Sequence, residues 1–336
     1  MRDDTHISLA HGNGGRLMRE LIAEVFARHL ANPDLDVTAD AVPLEMDSRR
    51  LMFTTDGFTV KPLEFPGGDI GALAVHGTCN DLAVAGATPR FLSLNAFIEE
   101  GLEIRRLDRF IASMAEAARE LGVRIVTGDT KVVPRGEGSG LYLATSGLGV
   151  CTHERTLSIG SVNAGDAVLV SGPVGDHGTA VLLAREQFGL TGTLKSDVAS
   201  VLPLTQALLR VKGLKFMRDP TRGGLASVAH EVARVARVTV RLRAEAVPVR
   251  NEVRSVCEML GYDPYYLACE GRVVAFVTRE DAAEALASWR RLADGREAAI
   301  VGHVESPGEP RVILETPLGG ERFLEELEDD PLPRIC

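Results

Sequence analysis

Three times along the chain a β-prone run ends at an acid or a glycine loop, and the loop opens into an apolar stretch at helical spacing. The segments are FPGGDIG (65–71), SGPVGDHG (171–178) and DPTRGGLA (219–226), and HGNGG (11–15) opens a further helical stretch near the N-terminus. Strands and helices that alternate in this way must pack as layers over shared cores, which restricts the chain to α/β or α+β architecture. The same alternation says where chemistry can sit. The first N–H groups of a helix lack intrahelical partners, so a glycine loop at that point can present bare donors to a phosphate. After HGNGG come Leu17, Leu21, Ile22, Val25, Phe26 and Leu30 at helical spacing. On that segment alone, a phosphate-binding role for Gly14 and Gly15 and a plain N-terminal loop are equally good readings.

In the N-terminal half, RLMFTTD (50–56) reads as a strand that ends in Asp56. FPGGDIG leads into a helix, with Asp69 as a natural N-cap. That helix carries Leu73, Ala74, His76 and Gly77, then Asn80 and Asp81, and stops at Gly86 ahead of Pro89. Its interior is small and apolar. An Asn-Asp pair buried there costs roughly several kcal/mol unless something pairs with it. A divalent ion is one solution, and an Asp81 that faces water is the other. Residues 91–98 read as a strand, 107–121 as an amphipathic helix, and 123–127 as a strand ending in GDTKVV (128–133). Asp129, Thr130 and Lys131 offer an acid for Mg²⁺ and a hydroxyl and an ammonium for phosphate oxygens. The segment is not a Walker A motif, since GxxxxGK[ST] is absent from the sequence. A glycine-rich loop (134–140) and a strand (141–150) follow. The order is β-α-β-α-β-β, a sheet with helices on one face. Asp56, Asp81 and Asp129 are expected near one another. Three such acids repel and raise each other's pKa, and a bound Mg²⁺–nucleotide resolves that conflict.

The C-terminal half repeats the theme after a boundary near 160–166. A strand (167–171) feeds SGPVGDHG, with Gly175 and Asp176 in the loop, and a helix over 179–188. His177 reads first as a loop-filling residue and only second as a proton shuttle. In DPTRGGLA, Asp219 closes a strand and Arg222 offers planar donors to phosphate. Strands are expected over 238–242, 273–277 and 299–304, with helices over 252–260 and 281–292. His303 lies in a strand and reads as structural. Glu270, in CEG (269–271), is either an acid–base group or a surface carboxylate beside Arg272.

At 336 residues the chain is long for one core, so two domains are expected. We divide it into a glycine loop and helix (1–40), an N-terminal domain (41–158), a C-terminal domain (159–325) and a tail (326–336). The net charge of -10 argues against a nucleic-acid backbone or an anionic membrane as the main partner. Cys79, Cys151, Cys257, Cys269 and Cys336 show no CxxC spacing, which fits a reducing compartment and argues against structural zinc. There is no signal-type apolar segment and no apolar run near ~18 residues, so a cytoplasmic protein is expected. The tail is acidic, broken by Pro331 and Pro333, and finishes in Cys336. Prolines disfavour helix and sheet, so it reads as an extended arm. About eight residues at ~3.3 Å each reach roughly 25 Å, enough to carry a thiol between two sites. A frayed end that happens to finish in cysteine is the alternative.

Taken in order, HGNGG, FPGGDIG, GTCNDLAVAGATP (77–89), TGDTKVV (127–133), SGPVGDHG, DPTRGGLA and the terminal PRIC (333–336) span essentially the whole chain. The ordered set resembles the AIR-synthase-like (PurM-type) ATP-using superfamily and, within it, the HypE family of hydrogenase maturation factors. Cys79 and Glu64 depart from the pattern at positions that touch no candidate ligand. The resemblance implies a two-domain PurM-like fold of mixed α+β and α/β character. Its N-terminal sheet-and-helix domain dimerises into a shared sheet or barrel, its C-terminal domain is α/β, and its tail is mobile. ATP is expected in the cleft between the domains near the dimer interface, with Gly14, Gly15, Asn80, Thr130, Lys131, Gly175, Asp176 and Arg222 as binding residues. Asp56, Asp81, Asp129 and Asp219 are expected as ligands of Mg²⁺ or of its waters. The implied reaction has three stages. The thiol of Cys336 receives a carbamoyl group from the carbamoyltransferase HypF, ATP drives dehydration of the S-carboxamide to a thiocyanate, and the cyano group passes to iron on a HypC–HypD complex. Lys131 and Glu270 match the family's lysine and acidic residue, implying charge stabilisation and proton acceptance. A small-molecule kinase or ATP-dependent synthetase of the same superfamily is the alternative, and it has no use for Cys336. A non-catalytic binding protein that ligates metal through Cys336 leaves the four acids without a role.

Overall fold

The computed structural model describes residues 5–12, 16–35, 50–185, 192–307 and 310–326. The chain divides into two compact units. The first holds the described residues up to Leu82 together with Ala87–Thr152, and the second holds Ala83–Gly86 and the described residues from His153 onward.

The first unit opens with a short 3₁₀ turn (Leu9–Gly12) and a helical run made of α1 (Arg16–Leu21), a π-helical stretch (Ile22–Ala27) and α2 (Arg28–Leu30). Then come β1 (Leu51–Phe58), a hairpin of β2 (Glu64–Phe65) and β3 (Gly68–Asp69), α3 (Ile70–Val84), β4 (Thr88–Glu99), α4 (Ile104–Leu121), β5 (Arg124–Val133) and β6 (Leu141–Val150). The sheet is open, in the order β1-β6-β4-β5. Only β4 and β5 pair in parallel, because α4 carries the chain back across the sheet between them. The helix α4 buries Leu107, Phe110, Ile111 and Met114 on one stripe. It ends where Gly122 turns left-handed at φ 65 and donates its N–H to Ala118 and Arg119 carbonyls. The helix α3 is apolar almost all round, as a helix packed on two sides must be. Asp69 Oδ1 accepts the N–H groups of Gly71 and Ala72, as its N-cap position predicts. At Gly71 the backbone of α4 comes so close that an added Cβ would lie 2.0 Å from the Phe110 carbonyl oxygen. On the sheet below, Thr145 Oγ1 donates to the Ala74 carbonyl at 3.3 Å and bonds Thr78 Oγ1. On the opposite face of the sheet, Leu51, Phe53 and Phe97 remain 47%, 70% and 40% exposed.

The second unit contains β7 (Ala167–Val170), α5 (Asp176–Ala184), α6 (Leu202–Leu208), β8 (Leu214–Arg218), α7 (Gly224–Ala236), β9 (Val238–Arg243), α8 (Asn251–Leu260), β10 (Val274–Val277), α9 (Ala282–Arg290), β11 (Ala299–Pro307), β12 (Arg311–Glu315) and β13 (Glu321–Phe323). Its sheet runs β13-β12-β9-β11-β7-β10-β8, antiparallel except for β12 beside β9. The central strands β7 (AVLV) and β10 (VAFV) are buried at every position, so both faces of the sheet are covered. Val168, Val170, Val274 and Phe276 meet Leu225, Val228, Ala229 and Val232 of α7. Ala167, Leu169, Ala275 and Val277 meet Leu204 and Leu208 of α6 and Ala285 and Trp289 of α9. Each of the Val, Leu and Phe side chains among them contributes about 1.5–3 kcal/mol when removed from water. Trp289 is fully buried, and its indole N–H donates to the Leu204 carbonyl at 3.0 Å. The expected elements are observed in order in both units, with shifted bounds, and the β2–β3 hairpin, α6, β12 and β13 are additional to them. The helix after SGPVGDHG starts at Asp176, three residues before the expected position, because Gly175 at φ 85 completes the turn by itself.

Candidate active site

In the first unit, Asp56 lies in β1 opposite Thr145 of β6. Residues of one parity along β1 turn toward α3. Thr54 Oγ1 donates to Asp81 Oδ2 at 2.9 Å, and Asp56 Oδ1 accepts the Gly57 N–H at 2.7 Å. Gly77 of α3 keeps this corner open: a Cβ there would stand 2.6 Å from the Phe58 ring and 3.9 Å from Asp56 Oδ2. Asn80 is buried, while Asp81, one residue on, is half-buried and bonded to Thr54. Asp56 and Asp81 are thus brought to the helix-covered face of the sheet.

Asp129 and Lys131 are placed differently from the expectation. GDTK is not a turn beyond a strand end, since β5 runs on through Val133. Alternation then puts Thr130 in the buried layer and Asp129 and Lys131 together on the opposite, exposed face. Lys131 Nζ lies 2.9 Å from Asp129 Oδ2, with the two side chains 59% and 52% exposed. The ammonium holds the Asp129 carboxyl below the usual carboxylate range. The expected triad of Asp56, Asp81 and Asp129 therefore separates within one chain into a pair on one face and a single acid on the other. Among the described residues no three His, Cys, Asp or Glu side chains stand together as a ready-made metal centre. Oxygen donors in ones and twos suit Mg²⁺, which takes one or two carboxylates and fills the rest of its shell with phosphate and water.

In the second unit, Asp219 follows β8 and is 7% exposed. The turn after it packs against residues 265–269. Gly224 (φ 58) has no room for a side chain, because a Cβ would lie 2.6 Å from both the Leu267 and Tyr265 carbonyl oxygens. The Pro220 carbonyl accepts the Cys269 N–H at 2.9 Å, which sets Asp219 and Glu270 on neighbouring backbone. Arg222 is exposed. Glu270 is only 5% exposed, so it is not the surface carboxylate of the second sequence reading. The Arg272 guanidinium turns instead to the Pro173 carbonyl and to Asp197.

Gly175 donates its N–H to Cys269 Sγ at 3.2 Å. Cys269 is fully buried, and burial pushes its thiol well above the ordinary value. The Asp176 side chain is 3% exposed, and its Oδ2 accepts from Arg250 Nε at 2.9 Å with Arg272 Nη2 at 3.9 Å. Burial outweighs the arginines and raises its pKa to about 6. His177 is fully buried in the first turn of α5, its Nδ1 lies 2.8 Å from Ser196 Oγ, and burial lowers its pKa to about 3. It is a neutral packing residue of the helix, not the loop-filling residue of the first sequence reading, because α5 already begins at Asp176. Asp197, Arg250 and Arg272 carry no local motif, and these contacts join segments 47 to 99 residues apart, so pattern reading missed their roles. Gly14, Gly15 and Cys336 lie outside the described residues. No described helix is long and apolar enough to cross a membrane.

The family described as "AIR synthase related protein, N-terminal domain" matches residues 38–151, and its C-terminal counterpart matches residues 163–315. The chain is 45% identical over 331 residues to the carbamoyl dehydratase HypE of Azotobacter vinelandii, covering 98% of this chain and 97% of that protein. Among solved structures it is similar to a HypE in complex with ATP, at 44% identity and a TM-score of 0.93 over 98% of this chain and 99% of the other. It is also similar to a chain of a HypE–HypF complex, at 42% identity and a TM-score of 0.80 over 91% and 99%.

Proposed function

This chain belongs to the AIR synthase related family and, within it, to the HypE carbamoyl dehydratases, and from that premise we propose that it dehydrates an S-carboxamide on its own Cys336 to a thiocyanate. The reaction supplies the cyanide ligand for the iron of [NiFe] hydrogenase. The protein binds ATP as its driving co-substrate and takes its carbamoyl group from HypF. The observation that carries the reading is the full-length likeness to carbamoyl dehydratases in a chain that keeps Glu270 buried beside the DPTRGGLA turn.

A carboxamide oxygen is a very poor leaving group. Attack of that oxygen on the γ-phosphorus forms an O–P bond, breaks the bond to ADP and releases one N–H proton. The carbon–oxygen bond then breaks with phosphate as leaving group, the second N–H proton departs, and the C≡N bond closes. Glu270 is our proton acceptor for the nitrogen. Lys131 stabilises negative charge on the phosphoryl or carboxamide oxygens. Gly14, Gly15, Asn80, Thr130, Gly175, Asp176 and Arg222 are the candidate nucleotide-contacting positions. Of these, the Asp176 carboxylate already serves Arg250, so its contribution is to fix the loop. Asp56, Asp81, Asp129 and Asp219 are the candidate carboxylates for Mg²⁺. When bound, Mg²⁺ neutralises charge on the phosphate oxygens. The cyano group goes to a HypC–HypD complex. Two copies of the chain pair through the N-terminal sheet. The exposure of Leu51, Phe53 and Phe97 on one sheet face supports that pairing. A cytoplasmic site of action suits the free Cys79, Cys151, Cys257 and Cys269.

Intact-mass analysis of the C-terminal peptide tests the reading. The protein is carbamoylated by its transferase partner and then given Mg-ATP. Cys336 should gain a carbamoyl group and lose one water only when ATP is present. A tail that stays unmodified while ATP is turned over with an added small molecule would transfer the reading to the kinase or synthetase class. Lys131→Ala should slow the water loss by about 10²-fold or more. Because the Lys131–Asp129 pair is exposed, the same change should leave stability within about 0.5 kcal/mol.

A further inference from the structure

A segment without regular secondary structure, residues 192–200, crosses the second unit and is held at three points. Ser196 Oγ meets His177 Nδ1 at 2.8 Å, Asp197 Oδ1 accepts the Glu270 N–H at 3.0 Å, and Asp197 Oδ2 faces Arg272 Nε at 3.4 Å. The fit around the third residue of CEG is tight: a Cβ on Gly271 would lie 1.9 Å from the Asp197 carbonyl oxygen. The Asp197 side chain is 1% exposed and that of Arg272 12%. Arg272 also donates from Nε to the Pro173 carbonyl at 3.1 Å, and its guanidinium covers Gly172, where a Cβ would stand 3.1 Å away. Residues 270 and 272 are therefore joined to each other through one buried carboxylate, and the same guanidinium ties them to the SGPVGDHG loop.

We propose that Asp197 and Arg272 are the positioning residues for Glu270: a buried ion pair that fixes the backbone on which the proton acceptor is carried. The proposal rests on the reading of Glu270 given above. A buried carboxylate that accepts a backbone N–H and faces a guanidinium restricts the segment's arrangement, because moving the guanidinium away strands a charge out of water. Holding a reacting group in place is worth far more than its contact energy suggests, since a displacement of ~1 Å costs on the order of 10²-fold in rate. Neither residue touches the reacting atoms, so both act through Glu270.

The test is a double-mutant cycle on the full-length chain. Each protein is carbamoylated by the transferase, and a single turnover of water loss after Mg-ATP is followed by mass. ATP affinity and the thermal midpoint are measured alongside. Asp197→Ala should slow water loss by about 10–100-fold, with ATP affinity unchanged within about twofold. Asp197→Asn keeps an acceptor for the Glu270 N–H and should recover part of the loss, and it carries the test if the alanine variant does not fold. In a Glu270→Gln background the Asp197 substitution should cost less than about twofold, the non-additivity expected of groups that act as a unit. An equal cost in both backgrounds would overturn the proposal and make Asp197 a general structural residue. A Glu270→Gln variant as fast as the unaltered protein would remove Glu270 as the proton acceptor, and the proposal would fall with that reading.

Discussion

Neighbouring side chains at the start of α5 respond to acid in opposite senses. Burial raises the Asp176 pKa to about 6, so protonation is favoured in the folded state. The stability it contributes is complete below the unfolded value of 3.8 and is lost as pH rises through about 6. Asp176→Asn abolishes this titration. Between pH 7 and pH 4 the unaltered protein should gain stability relative to the variant in urea titrations, and a constant difference would contradict the assigned environment. His177 runs the other way. Its folded value is lowered to about 3, so its share of stability is lost as pH falls below the ordinary 6.5. His177→Gln should flatten that acid-side decline. Neither environment was visible in the sequence. SGPVGDHG announces a loop and a helix, but not that Arg250, 74 residues away, supplies the partner of Asp176. Glu270 was legible as a candidate from its place before Gly271. Its support by Asp197 was not, since LKSD (194–197) has no periodicity and no motif.

At the scale of an element, glycine carries the most ambiguous signal, because turns and close backbone approach both call for it. The sequence places Gly128 at a strand end, and the structure places it inside β5. A Cβ there would be 2.1 Å from the Leu94 carbonyl oxygen, near the register shift between Leu92 and Ser93 on the paired strand. The glycine answers to close approach of two strands rather than to a turn, and sequence patterns do not separate those causes. Asp129 and Lys131 consequently lie on a strand face and not in a loop. The helices were more legible, because caps and apolar spacing are local: Asp69 caps α3 and Gly122 ends α4 as such residues should. Two substitutions separate the two uses of glycine. Gly71→Ala forces a methyl against the Phe110 carbonyl and should destabilise by about 3 kcal/mol or more. Gly122→Ala meets nothing within 4 Å and bears only its left-handed φ of 65, for a loss of roughly 1–2 kcal/mol. Denaturant midpoints that put the two in the opposite order would contradict the packing of α3 on α4.

At the scale of the whole molecule, the two units follow from repeated strand–glycine–helix segments, which is why both were legible. Pairing of chains is a different matter. The resemblance implies it, and the proposed surface is the sheet face on which Leu51, Phe53 and Phe97 point away from α3 and α4. Phe53→Lys places a charge at the most exposed of these positions and should shift sedimentation from dimer toward monomer while leaving the fold intact. A monomeric unaltered protein would end the pairing proposal. The interior of the second unit has another consequence. Trp289 is the chain's single tryptophan, sealed between α6 and β-sheet with its indole on the Leu204 carbonyl. Its emission thus reports on that core. A fluorescence melt that parts from a circular dichroism melt would show two domains that come undone one at a time, and any midpoint quoted from fluorescence would then describe the C-terminal one.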